Sequence, residues 1–192
     1  MISSKYDWQF ATNVTDENFL KKAKKAGLEP AAASLLYQRG VQTEEALQEF
    51  LEPSLDQLHD PYDLHDMERA VERIRAAIEN YEQILIYGDY DADGMTSASI
   101  VKEALEQLGG ECQVYLPNRF TDGYGPNSSV YKYFIENQGI SLIVTVDNGV
   151  AGLEAIELAQ SLGVDVIVTD HHSMPEELPN AYAIVHPEHS GA

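Results

Sequence analysis

The chain has 192 residues, 44% of them hydrophobic, which suffices for one ordinary domain or a domain with a small appendage. Its apolar runs are only a few residues long, so a membrane span of about twenty apolar residues is excluded. Twelve basic residues face 32 acidic ones, a formal net charge of −20, which argues against a general polyanion binder, because affinity for nucleic acid usually comes from Lys and Arg displacing counterions.

The start, Met1-Ile2-Ser3-Ser4-Lys5, has no apolar core of the kind a secretory signal needs. Up to Gly40 the net charge is +2, and beyond it −22. Short helices are expected from Glu17 to Ala26, closed by Gly27, and from Pro30 to Arg39, closed by Gly40, with Pro just inside a start and Gly just beyond an end. A third follows Thr43, whose hydroxyl can cap Glu44 to Phe50 before Pro53 stops it. Glu52 to Asp66, with two prolines and many turn formers, reads as a linker. Met67, Val71, Ile74, Ile78 and Tyr81 recur at spacings of three and four, which predicts a helix from about Met67 to Tyr81.

From Ile84 the pattern alternates between strand and helix. Strands are expected at Ile84–Tyr87, Cys112–Leu116, Leu142–Val146, Val166–Val168 and Ala181–Val185. The intervening helices run from about Thr96 to Leu108, Ser128 to Asn137 (capped by Asn127) and Leu153 to Leu162. Uninterrupted apolar strands separated by helices imply an α/β fold, a mainly parallel sheet with helices on both faces, preceded by a small helical segment. Cys112, the one cysteine, can form no internal disulfide, in keeping with a reducing cytoplasm.

Ligands of an open parallel sheet bind beyond the carboxyl ends of its strands. After the first strand comes Gly88-Asp89-Tyr90-Asp91-Ala92-Asp93-Gly94, after the third Asp147-Asn148-Gly149, and after the fourth Asp170-His171-His172. Asp-Gly at a strand end is often only a turn. Five carboxylates and two imidazoles on one sheet edge are harder to explain that way, since they would repel strongly without cations. The run from Asp89 to Gly94 imitates the start of a calcium loop, but the twelfth position is Ile100 instead of Glu and a strand precedes it. It also imitates an Asp-x-Asp phosphatase nucleophile, using Asp91 and Asp93 with Thr145, a reading that leaves Asp89, Asp147 and the His pair idle. Mixed carboxylate and imidazole donors suit Mn²⁺ or Mg²⁺, and two such ions suit hydrolysis of a phosphorus ester.

The three pieces together resemble the first three motifs of the DHH phosphoesterase family, named for Asp170-His171-His172. The form Tyr87-Gly88-Asp89-Tyr90-Asp91-Ala92-Asp93-Gly94 is similar to the branch that digests single-stranded DNA. Tyr87 stands where other branches carry a His, with Asp89 supplying the missing ligand. Arg39-Gly40-Val41, Phe50-Leu51-x-Pro53, Asp60-Pro61, Met67-x-x-Ala70, Pro117-Asn118-Arg119 and Gly123-Tyr124-Gly125 extend the resemblance along most of the chain. It implies Asp89, Asp91, Asp93, Asp147 and His171 as metal ligands, with Asp147 bridging two Mn²⁺ or Mg²⁺ ions. It further implies Asp170 as an orienting group, His172 as phosphate contact or proton donor, and Arg119 and Tyr124 as substrate contacts.

The implied activity is 5′ to 3′ removal of nucleotides from single-stranded DNA in recombination and repair. Single-strand-binding protein and a helicase are the partners expected through the family. A phosphatase or small-nucleotide phosphodiesterase, and a silent binding module, are the alternatives. The expected division is a helical segment and linker over 1–66 and a partial phosphoesterase domain over 67–192. The family's fourth motif, its second domain and an OB-like domain find no match before Ala192. The chain is therefore expected to be a fragment with an incomplete metal site and weak or absent activity, its acidity offset by a basic partner domain.

Overall fold

The computed structural model describes residue 6 and residues 16–189. Among the described residues the chain divides after His59 into two compact units. The first contains α1 (Glu17–Lys25), α2 (Pro30–Gln38) and α3 (Glu44–Leu51). Asp16 caps α1 by accepting the N–H groups of Asn18 and Phe19, and Thr43 caps α3 by accepting that of Ala46. Phe19, Ala23, Ala33 and Leu47 form a small core, with Tyr37 meeting Phe19 edge-on. The segment between α3 and the next helix contains two 3₁₀ turns, Leu55–Gln57 and Pro61–Asp63.

The second unit begins with α4 (Met67–Glu79) and continues β1 (Gln83–Tyr87), α5 (Ala92–Gln107), β2 (Glu111–Tyr115), α6 (Ser128–Gln138), β3 (Ile140–Val146), α7 (Leu153–Ser161), β4 (Asp165–Thr169) and β5 (Ala183–Val185). All pairings among these strands are parallel, in the order β2-β1-β3-β4-β5. The expected α/β architecture is therefore present. Chain direction across the sheet reverses between β1 and β3, the place where such sheets open a crevice at their carboxyl ends.

Strand alternation sorts the core onto two faces. Leu85, Tyr87, Ile143, Val166 and Val168 join Tyr131, Ile156 and Ala159 of α6 and α7. Ile84, Ile86, Leu142, Val144 and Ile167 join Ala70 and Ala77 of α4 and Ala98 and Leu105 of α5. Burial on both faces explains why these strands read as continuous apolar runs. Arg73 on α4 pins one end of the sheet, its Nε 2.6 Å from Asp165 and an Nη 2.7 Å from Glu82.

One boundary differs from expectation in a way that matters. Helix α5 starts at Ala92, four residues before the predicted Thr96. Asp91 adopts extended dihedrals and accepts the N–H of Gly94, so the carboxylate read as part of a loop is also the helix cap. Among the described residues no helix is long and apolar enough to cross a membrane.

Candidate metal centre

The first contributor follows β1. Asp89 is only 2% exposed, and its Oδ1 accepts the N–H of Tyr90 at 2.7 Å. A Cβ on Gly94 would lie 2.4 Å from the backbone N of Asp89, so only glycine lets the first turn of α5 press against this strand end. That turn carries the positive end of the helix dipole, where a carboxylate is favoured. Asp91 sits at the cap, and the Gly94 N–H holds its pKa below the ordinary carboxylate value. Asp93, in the same turn, is exposed.

The second contributor follows β3. Asp147 takes a left-handed conformation, φ 62°, while its N–H donates to the Thr169 carbonyl at 3.0 Å. Asn148 fixes this turn: its side-chain amide donates to the carbonyls of Tyr87 and Val146, tying the tips of β1 and β3. Thr145 donates its hydroxyl to the Asn148 carbonyl at 2.6 Å. A Cβ on Gly149, whose φ is +123°, would meet that hydroxyl oxygen at 2.5 Å. The turn is thus specified by three residues acting together.

The third follows β4. Asp170 is almost wholly buried, and both its oxygens are used. Oδ2 accepts the Val150 N–H, and Oδ1 accepts the N–H groups of His171 and His172 and contacts His172 Nδ1 at 2.8 Å. Burial alone would raise its pKa, but these donors outweigh it and hold the carboxyl below its ordinary value. With its oxygens saturated, Asp170 holds the His172 ring at Nδ1 and the backbone of both histidines through their N–H groups. The bond to Asp170 raises the His172 pKa against the opposing effect of burial.

The three tips converge. Asp89, Asp91 and Asp147 each offer an oxygen within 4.8 Å of the others, and Asp147, His171 and His172 do the same. Asp147 belongs to both groups. His171 Nε2 lies 2.8 Å from Asp147 Oδ1, while Asp147 Oδ2 is buried with no hydrogen-bond partner. Burial raises the Asp147 pKa; the contact with His171 opposes the rise and the nearby Asp91 adds to it. A buried, partnerless carboxylate oxygen beside another carboxylate is what a cation would relieve, so hard divalent ions fit this donor set. Asp93 lies outside both groups but lines a hollow of about 390 Å³ with Asp147 and His171.

A second hollow of about 380 Å³ opens beside His172, walled by Tyr124, Pro126, Val150 and Ser173. Tyr124 meets His172 edge-on at 5.6 Å, and burial followed by the charge of Asp170 pushes its hydroxyl up to about 12. Arg119 does not touch the carboxylates. Its guanidinium lies 5.3 Å from the Tyr90 ring centroid, and Tyr90 in turn meets Tyr124. The sequence reading assigns Tyr90 no role, although an aromatic at a strand tip beside a ligand run is a signal. His186, fully buried with Nε2 2.8 Å from the His172 carbonyl, leaves no such trace, since only folding brings it under the His pair.

The model of the DHH family, N-terminal domain, matches residues 83–192. The single-stranded-DNA-specific exonuclease RecJ of Bacillus subtilis is 41% identical over 192 residues, all of this chain and 24% of the relative. RecJ of Escherichia coli is 40% identical over 164 residues, 84% of this chain and 27% of that protein. The chain thus spans about a quarter of the length of the curated relatives it matches. Among solved structures, exonuclease RecJ bound to manganese superposes with a TM-score of 0.63 at 29% identity, covering 69% of this chain and 34% of that one. RecJ of Thermus thermophilus in complex with Mn²⁺ gives 0.62 at 26% identity, covering 92% of this chain and 24% of that one.

Proposed function

Because the chain belongs to the DHH family, we propose that its strand-tip centre is part of a divalent-metal-dependent exonuclease acting on single-stranded DNA. The observation that carries this reading is the pair of ligand groups sharing Asp147, with its buried Oδ2 unpartnered. Solved relatives named as exonuclease RecJ with manganese support Mn²⁺, or the similarly hard Mg²⁺, as the ion. Asp89, Asp91, Asp93, Asp147 and His171 would hold the ions, Asp147 being the residue that the two candidate groups share. When bound, such ions lower the pKa of water and stabilise charge on phosphoryl oxygens.

The chain's own residues set the rest. Asp170 fixes the His172 ring at Nδ1 and the His171 backbone at its N–H, and in the protonated imidazole that this carboxylate favours, Nε2 of His172 can donate to a non-bridging phosphate oxygen. Tyr124 offers a ring beside His172 for a base to stack on, and Arg119, steadied over Tyr90, offers a cation to a neighbouring phosphate. Digestion from the 5′ end, a role in recombination and repair, a cytoplasmic setting, and cooperation with single-strand-binding protein and a helicase complete the proposal.

The test is release of label from single strands tagged at one end or the other, in Mn²⁺, by the protein and by its Asp147→Ala variant. Label should leave the 5′-tagged strand first, and the variant should lose about 100-fold or more. Cleavage of dinucleotides or phosphomonoesters with long strands left intact would instead point to a small-substrate esterase. Absence of any turnover would indicate a silent binding module.

A further inference from the structure

We propose that His65, Asp66 and His189 form a second metal site, separate from the strand-tip centre, suited to zinc or a similar borderline cation. One ligand atom from each of the three lies within 4.8 Å of the other two. The residues come from distant parts of the chain: His65 and Asp66 directly precede α4, and His189 follows β5. The two rings approach edge-on with centroids 4.6 Å apart, and His65 Nε2 is 3.6 Å from Asp66 Oδ1.

Asp66 is prepared as a ligand more carefully than a surface carboxylate needs to be. It occupies the left-handed region at φ 61°, and its Oδ2 accepts the Ile184 N–H at 2.9 Å. That bond covers the open edge of β5 and fixes the carboxylate, leaving Oδ1 toward the imidazoles. A ligating carboxylate whose other oxygen is anchored by a hydrogen bond is a regular feature of metal sites. The competing cation is Arg69, whose Nη1 is 4.0 Å from the same Oδ1. Its guanidinium already lies over the Tyr182 ring, 4.5 Å from the centroid, so it has a resting place when a metal takes the oxygen.

The donor set decides the ion. Two imidazoles and one carboxylate match tetrahedral Zn²⁺ with one position left for water, whereas Mg²⁺ prefers oxygen. Such an ion would join the entry of α4 to the segment after β5. The N–H of His189 donates to the carbonyl of His186, whose Nε2 contacts the carbonyl of His172. The clamp would therefore brace the backbone that carries the DHH pair without taking part in chemistry.

The test is Zn²⁺ titration of this chain, with Mg²⁺ in excess to occupy the strand-tip centre, beside His65→Ala and His189→Ala. The unaltered chain should bind one more equivalent than either variant, or bind it at least about tenfold more tightly, and should gain a Zn²⁺-dependent rise in Tm that both variants lose. Equal stoichiometry, affinity and Tm response in all three chains would overturn the site. A second readout needs no variant: Co²⁺ added to the unaltered chain in Mg²⁺ should shift and broaden the ring protons of His65 and His189. Unperturbed rings at saturating Co²⁺ would also overturn it.

Discussion

Asp147 is held at φ 62° with one oxygen buried and unpartnered, and both conditions oppose ionisation or cost backbone energy in the absence of a cation. Its pKa is raised, so the stability tied to this group is present at low pH and lost as pH rises through the folded value. Asp147→Asn, which tolerates the same backbone, should therefore raise the Tm of the metal-free chain by about 2 °C while weakening Mn²⁺ binding at least tenfold (on the order of the loss expected of a perturbed metal site). Scanning calorimetry and metal titration read the two effects separately; a lower metal-free Tm would contradict the electrostatic account. Asp170 behaves in the opposite sense. Its pKa lies below the unfolded value, so its contribution is complete above about pH 4 and disappears as pH falls through the folded value. Asp170→Asn should cost about 1–3 kcal/mol at neutral pH, because an amide nitrogen must now face one of the N–H donors. It should also flatten the loss of stability on acidification, measurable by urea unfolding between pH 6 and about pH 2.

At the scale of elements, the first turn of α5 is the piece that makes the centre possible. Gly94 lets Asp91 cap the helix and Asp89 pack beneath it at the same time. Gly94→Ala would place a methyl 2.4 Å from the Asp89 backbone N and so force strand tip and helix apart. The expected outcome is a loss of about 1–3 kcal/mol by denaturant unfolding, together with weakened Mn²⁺ binding, although no ligand has been altered. Unchanged metal affinity would mean that the approach of α5 to β1 is unimportant. The same turn shows where sequence reading falls short. An Asp-x-Asp run followed by glycine looks like a loop, because both residue types favour turns. Its helical start depends on a cap bond that periodicity does not report, hence the four-residue error at Thr96. The strands were legible because burial on both faces leaves unbroken apolar runs such as Ile84–Ile86 and Val166–Val168.

For the whole molecule, charge is the controlling quantity. A net −20 and few basic residues leave little to displace counterions, so this chain should bind single-stranded DNA weakly. Its affinity should change by less than about tenfold between 50 and 200 mM salt, against the 10³–10⁵ shown by proteins with six to ten phosphate contacts. Fluorescence anisotropy with a labelled oligonucleotide measures this, and a steep salt slope would point to a basic surface assembled in spite of the composition. The chain belongs to the DHH family and spans about a quarter of the length of the curated relatives it matches.

The amino-acid sequence by itself determined the α/β class, the three acidic strand ends and the family, because each depends on local periodicity or on contiguous motif residues. Only the tertiary structure decided that Asp147 leaves one buried oxygen unpartnered, that Asp93 stands outside both groups yet lines a hollow with Asp147 and His171, that Arg119 reaches the site through Tyr90 and Tyr124, and that His186 supports His172. These are contacts between segments dozens of residues apart. They arise from the reversal of chain direction between β1 and β3, which brings separate strand tips into one crevice; no local pattern of side chains encodes a distance of that kind.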